Sequence, residues 1–199
     1  MSNVRRLMNP VATLRSQIYD FFQGSGLCQQ HFFAPGQEEQ YVAYYNSMYL
    51  LQDATESLAA HRGRGFSQTE PLQSYIEFWG VLQAVIIQQD SIVELWNVVF
   101  GRAFDARALN LAKWLEVREL RNVCAGHPTK KDIPRRDPTV RSFMGRNFGG
   151  YDRFVYERWE QGTGTTQPAV DLGALKDAYS VEAAACLGDI LKSMQSRWP

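Results

Sequence analysis

The sequence predicts a mainly all-α fold: a bundle of about five helices with a small β-hairpin inserted before the last one. Two observations carry that expectation. Long stretches place apolar residues three and four positions apart, the period of a helix with one buried face. Runs with strand character are confined to one short region, residues 140–159, bounded by prolines and glycines. The chain has 199 residues, 45% of them hydrophobic, enough for one core. We read residues 1–199 as a single domain.

Residues 4–23 carry Leu7, Val11, Leu14, Ile18 and Phe22 on one stripe, and Pro10 favours a regular start there because a first-turn proline loses no helical hydrogen bond. Gly24, Gly26, Pro35 and Gly36 mark a loop, so residues 1–36 form an N-terminal helix and loop. A second helix is expected over residues 37–60, stopping in the turn His61-Arg62-Gly63-Arg64-Gly65. A third, over residues 71–101, has Pro71 in its first turn and Ser67 or Thr69 as a cap. Its stripe is Leu72, Ile76, Trp79, Leu82, Ile86, Val93, Trp96 and Phe100, with a second row of Tyr75, Phe78, Val85, Ile92 and Val99. A helix apolar around so much of its circumference belongs at the centre of a bundle. Gln88, Gln89 and Asp90 then fall at or near the buried seam, where they require hydrogen-bond partners.

A fourth helix is expected over residues 107–125. Gly126 is a natural stop, and Pro128 turns the preceding residue away from helical geometry. Core helices therefore occupy residues 37–127. Residues 128–168 are read as a hairpin excursion, with strands in 140–146 and 151–159 and with Gly162-Thr163-Gly164-Thr165-Thr166-Gln167-Pro168 as a loop. Residues 169–199 hold the last helix, over 171–197, with Leu172, Leu175, Tyr179, Ala183, Leu187, Ile190 and Met194 as its buried stripe.

Composition excludes several classes. Net charge is zero, so any polyanion must be held by a local patch. The three cysteines, Cys28, Cys124 and Cys186, form no CxxC pair and suit a reducing compartment. The first residues lack the apolar core and cleavage site of a signal peptide, and residues 75–100 are interrupted by charges, so a cytoplasmic protein is expected. No cofactor and no metal are expected. His31, His61 and His127 have no ligand partners at zinc spacing, and the glycine-rich turns lack the lysine of a phosphate-cradling loop.

One constellation can carry chemistry. On a helical wheel, Trp114, Val117, Arg121 and Cys124 share an arc of about 80°, and Arg121 lies inside it. A cation on an apolar stripe is costly unless something anionic meets it. That partner could be a carboxylate such as Asp90 or Glu94, with His127 merely capping the helix. It could equally be a substrate phosphate. Asn122 adjoins the arginine, and His127 follows six residues after it, past the helix end. A permanent cation and a group titrating near neutrality are what metal-free phosphodiester cleavage needs, since phosphorane charge must be stabilised and protons moved.

The run Val117-Arg118-Glu119-Leu120-Arg121-Asn122-Val123-Cys124-Ala125-Gly126-His127-Pro128 resembles the signature of the HEPN superfamily. That signature is an arginine, usually followed by a polar residue, with a histidine after four to six intervening positions at the end of a bundle helix. Five residues intervene here. The resemblance covers residues 37–128, and the last helix by architecture. It implies a metal-independent endoribonuclease working as a homodimer, with the two motifs in one cleft, acting as a toxin or an abortive-infection, antiphage-defence effector. Carried over, Arg121 contacts the scissile phosphate, His127 acts as general acid or base, and Asn122 orients the phosphate or the histidine. Partners implied are RNA, a second copy of the chain, and an antitoxin or defence-system protein. Some toxins of this superfamily carry a tyrosine two residues after the histidine, which a partner modifies; here Thr129 stands there, in Pro128-Thr129-Lys130-Lys131.

Residues 128–158 hold eight basic residues against four acidic ones, a surplus of four in a neutral chain. Arg118, Lys130, Lys131, Arg135 and Arg136 are candidate RNA contacts, and Phe148, Tyr151 or Tyr156 could stack on bases. A solvated hairpin with ordinary charge scatter is the competing reading. Beyond a nuclease, the same sequence is compatible with a non-cleaving RNA- or nucleotide-binding module, or with a helical interaction protein.

Overall fold

The computed structural model describes residues 9–126, 128, 138–146 and 149–199. Among them are six α-helices, one more than expected. Helix α1 (Pro10–Gly24) starts at Pro10, and the Asn9 side chain caps it by accepting from the Val11 backbone amide. The extra helix is α2 (Gly26–Phe32), in the segment read as loop. Ser25 ends α1 in extended conformation and its hydroxyl accepts from the Cys28 amide, so one serine closes one helix and opens the next. Helix α3 (Glu38–Arg64) has Glu38 and Glu39 in its first turn and His61, Arg62 and Arg64 in its last, the order that complements the helix dipole. It runs one turn past its expected end, to Gly65 at φ 79°.

Helix α4 (Pro71–Phe100) stops at Gly101, φ 64°. Helix α5 (Ala112–Arg121) begins five residues later than expected, because Asn110 sits in the left-handed region at φ 56° and breaks the periodicity that spacing alone suggested. A five-residue π-helical turn, Asn122–Gly126, continues it. Strands follow: β1 (Val140–Phe143), β2 (Phe154–Val155), β3 (Glu157–Glu160), β4 (Gly164–Thr166) and β5 (Ala169–Val170). The expected hairpin is present as the antiparallel β1–β3 pair, with Arg141 opposite Trp159. It is extended by β4, formed from the segment read as loop, and a second antiparallel pair joins β2 to β5. Helix α6 (Leu172–Arg197) is capped by Asp171, whose carboxylate accepts from the Ala174 amide.

The chain divides into two compact units. One comprises Met1–Glu56, Ile87–Asp105 and Ser180–Pro199; the other comprises Ser57–Ile86 and Ala106–Tyr179. In the first, Val11, Ile18 and Phe22 of α1 are buried, and the Phe22 ring stacks on Tyr44 at 4.6 Å. The glutamines of α4 are buried here as the sequence requires: Gln88 donates to the Thr55 hydroxyl at 2.7 Å, and Gln89 is wholly enclosed. Asp90, expected beside them, faces solvent. In the second unit, Phe78 packs on Phe154 at 4.7 Å and Trp114 on Tyr179 at 5.7 Å. All seven residues of the expected α6 stripe are buried, each large apolar side chain contributing up to about 1.5–3 kcal/mol. Of the expected α4 stripe, Leu82, Ile86 and Trp96 are buried and Val93 and Phe100 half-buried, whereas Leu72, Ile76 and Trp79 are exposed, against expectation; the second row is buried from Phe78 onward. No helix among the described residues is long and apolar enough to cross a membrane.

Candidate functional site

The site is built at the end of α5. Trp114, Val117 and Leu120 bury one face of the helix, and Val123 and Cys124 bury the π turn that follows. The wheel placed Arg121 on this stripe, and the structure agrees: Arg121 is half-buried between buried neighbours. Its guanidinium is held by two amides. Nη2 donates to Oε1 of Gln83 on α4 at 3.1 Å, and Nη1 donates to Oδ1 of Asn122 at 3.3 Å. Nε is buried with no acceptor among the described residues. No carboxylate among them is paired with Arg121.

The turn shapes a bed for the cation. Gly126 lies so close that a Cβ there would stand 2.6 Å from Nη1 of Arg121. Only glycine lets the guanidinium fold over the turn without displacement. Widening from α to π geometry is a local device often found at functional positions. Strand β1 holds this turn and the residue two places beyond it. The Ser142 hydroxyl donates to the Val123 carbonyl, and the Ser142 amide donates to the Pro128 carbonyl at 2.8 Å. The Tyr75 hydroxyl of α4 donates to the Met144 carbonyl just beyond the strand. Burial holds the Tyr75 phenol above its ordinary value. The end of α5 is thus clamped between α4 and the sheet.

Of the residues predicted from sequence, the structure brings Arg121 and Asn122 together and places Arg118 half-buried one turn earlier. His127, Lys130, Lys131, Arg135, Arg136 and Phe148 lie outside the described residues. Tyr151 and Tyr156 are not open stacking platforms. Arg62 lies 4.7 Å and Lys176 Nζ 5.2 Å from the centre of the Tyr151 ring, while Tyr156 stacks on Phe154 at 5.6 Å. Of the basic residues past the motif, Arg158 is paired with Glu160 at 2.9 Å, whereas Arg146 and Arg153 are exposed. Burial pushes the Cys124 thiol up to about 12, so it is a core residue without nucleophilic character at neutral pH. Gln83 was missed: nothing in periodicity links residues 38 positions apart. Gly126 was read as a helix stop, and its role as a bed for Arg121 was missed as well.

A second polar cluster lies in the same unit. Glu77, on α4, accepts from the Ser67 amide at 2.8 Å, from Gln73 at 2.9 Å and from Arg64 at 3.0 Å. Burial pushes its carboxyl up, but these donors, with the charges of Arg64 and His61, outweigh burial and hold it below the usual carboxylate range. His61 Nε2 faces it at 3.7 Å, and His61 Nδ1 lies 2.7 Å from the Tyr151 hydroxyl. Burial, with help from Arg64 and Lys176, lowers the His61 pKa against the pull of Glu77. Lys176 is lowered to about 8, by burial and then by Arg62.

No protein-family model matches the chain, and no curated protein or solved structure matches it. Among the described residues, no three His, Cys, Asp or Glu side chains gather closely enough to hold a metal ion.

Proposed function

We propose that this protein is a metal-independent endoribonuclease of HEPN type, working as a cytoplasmic homodimer in a toxin or antiphage-defence role. The observation that carries the reading is the state of Arg121: a half-buried guanidinium on an apolar stripe, oriented by the neutral amides of Gln83 and Asn122, with no carboxylate partner among the described residues. A cation so placed costs free energy unless an anion completes it. A phosphodiester supplies that anion.

In this reading Arg121 binds the scissile phosphate and stabilises the charge that builds on its equatorial oxygens. Asn122 fixes the guanidinium and can donate its own amide N–H to a phosphate oxygen. His127, six residues along, removes the proton from the 2′-hydroxyl or delivers one to the leaving 5′-oxygen. The 2′-oxygen forms the new bond to phosphorus as the 5′-oxygen leaves, giving a 2′,3′-cyclic phosphate and a free 5′-hydroxyl. Arg118, Lys130, Lys131, Arg135 and Arg136 hold the backbone on either side.

The test is incubation of the purified protein with single-stranded or transfer RNA in excess EDTA. The expected outcome is cleavage leaving 2′,3′-cyclic phosphate ends, lost in both Arg121→Ala and His127→Ala while far-UV circular dichroism is unchanged. Full cutting by both variants would end the reading. RNA binding that survives His127→Ala with no turnover in the parent protein would replace the nuclease with a binding module.

A further inference from the structure

The first turns of α6 hold two cations beside one aromatic ring. The Arg62 guanidinium, from the last turn of α3, lies against the backbone of Gly173, so close that a Cβ there would stand 2.3 Å from Nη1 and 2.7 Å from Nη2. Lys176 and Asp177 follow three and four residues after Gly173, on the same face of the helix. Asp177 meets Arg62 at 3.7 Å with 77% of its own side chain exposed, so this pairing is loose and screened. Among the described residues Lys176 makes no ion pair. Its ammonium rests on the Tyr151 ring at 5.2 Å, and Arg62 lies 4.7 Å from the centre of the same ring. A ring face attracts a cation but gives its N–H groups no oxygen to donate to. Burial, and then the neighbouring Arg62, lower the Lys176 ammonium from 10.5 to about 8, with Asp177 pulling the other way. Its charge is thus incompletely matched by the fold.

We propose that Arg62 and Lys176, on the Gly173 face of α6, form a binding site for a small phosphate-class dianion, either free phosphate or a terminal phosphomonoester. The guanidinium donates through its fork of N–H groups and the ammonium acts as a point charge, the usual division between these two side chains at a phosphate. The surroundings select a small occupant. Two adjacent cations match a dianion in charge. Exposed carboxylates stand before and after the pair on the chain, at Asp171 and Asp177, and a third, Asp152, adjoins Tyr151; together they disfavour an extended polyanion such as an RNA backbone. Bound there, the anion links the last turn of α3 to the first turns of α6. None of these residues belongs to the Arg121 site, so the inference goes beyond the nuclease reading and stands or falls separately from it.

The test is titration of the full-length protein with inorganic phosphate at constant ionic strength, read by calorimetry and by carbon-13 NMR of the lysine side chains. One site per chain is expected, with a Kd of about 1 mM or below. At saturation the lysine that titrates near 8 is expected to move up by about one unit, a tenfold preference for its charged form. That titration is expected to be missing from Lys176→Met. Arg62→Gln and Lys176→Met are each expected to weaken binding at least tenfold with unchanged circular dichroism, whereas Lys192→Met, at an exposed position on α6, is expected to leave it intact. Absence of saturable binding up to about 20 mM phosphate overturns the inference. So does binding that is indifferent to both the Arg62 and Lys176 replacements, or that leaves the Lys176 titration where it was. A 2′-O-methyl RNA oligomer, which lacks the attacking hydroxyl, serves as competitor; if it displaces phosphate more readily than a simple phosphomonoester does, the occupant is an RNA backbone and the small-anion site is overturned.

Discussion

Glu77 and Arg121 stand in the same unit, each a charged side chain drawn out of water, and they are treated in opposite ways. Glu77 is saturated. A backbone amide, a glutamine and an arginine donate to it, and an imidazole faces it. The arrangement ties the last turn of α3 to the first turns of α4, and the imidazole carries the tie onward to Tyr151. Arg121 has two amide acceptors, a buried Nε without one, and no counter-charge among the described residues. A charge whose partners are complete within the fold serves stability. A charge oriented by amides, with no counter-charge among the described residues, is what the proposed phosphate site requires.

That difference can be broken or sharpened experimentally, and the largest effect belongs to Arg121. Arg121→Ala is expected to lower RNA cleavage by about 100- to 1,000-fold, the loss typical of removing one donor to transition-state charge, while thermal unfolding moves little. Arg121→Lys is expected to recover only part of it, since an ammonium cannot meet Gln83, Asn122 and a phosphate together. Next comes Glu77→Ala, which leaves several donors without an acceptor. It is expected to destabilise by roughly 2–3 kcal/mol in chemical denaturation and to leave cleavage by the folded protein unchanged. Gly126→Ala is expected to reduce cleavage by a smaller factor with little change in stability, because a Cβ there displaces only the flexible end of the Arg121 side chain.

The smallest effects are those of pH. Lys176 is lowered from 10.5 to about 8 in the folded state, so unfolding takes up a proton between those values. Its charge weighs against the fold below pH 8, and that penalty lifts as pH rises from about 8 toward 10.5. Lys176→Met is therefore expected to stabilise at pH 7 and to lose that advantage near pH 10, as read by denaturant midpoints. His61 is also lowered, from 6.5, so the stability tied to its neutral form is complete above pH 6.5 and declines as pH falls below it.

The same contrast explains what could be read from the sequence. The α6 stripe was legible from end to end, because a single amphipathic face packed on one core leaves an unbroken 3.6 period. Leu72, Ile76 and Trp79 show an equally regular period, yet they are exposed. Periodicity identifies an apolar face without saying what covers it. Helix α2 was hidden by the Gly24, Gly26 and Pro35 punctuation around it, because a serine cap carries more local weight than flanking glycines. Strand β4 was hidden because it has no apolar side chain and exists through its backbone pairing with β3. At the site, Arg121 and Asn122 were legible from one helix turn. Gln83 and the Gly126 bed were not, since a contact across two helices and a close backbone approach leave no local pattern.

The most direct test sets the two charges side by side. Parent protein, Arg121→Ala and Glu77→Ala are assayed on one RNA in EDTA at a temperature where all three are folded. The account predicts that Glu77→Ala cuts at the parent rate despite its lower unfolding midpoint, while Arg121→Ala is inert with its midpoint intact. Cleavage at the parent rate by Arg121→Ala would contradict it.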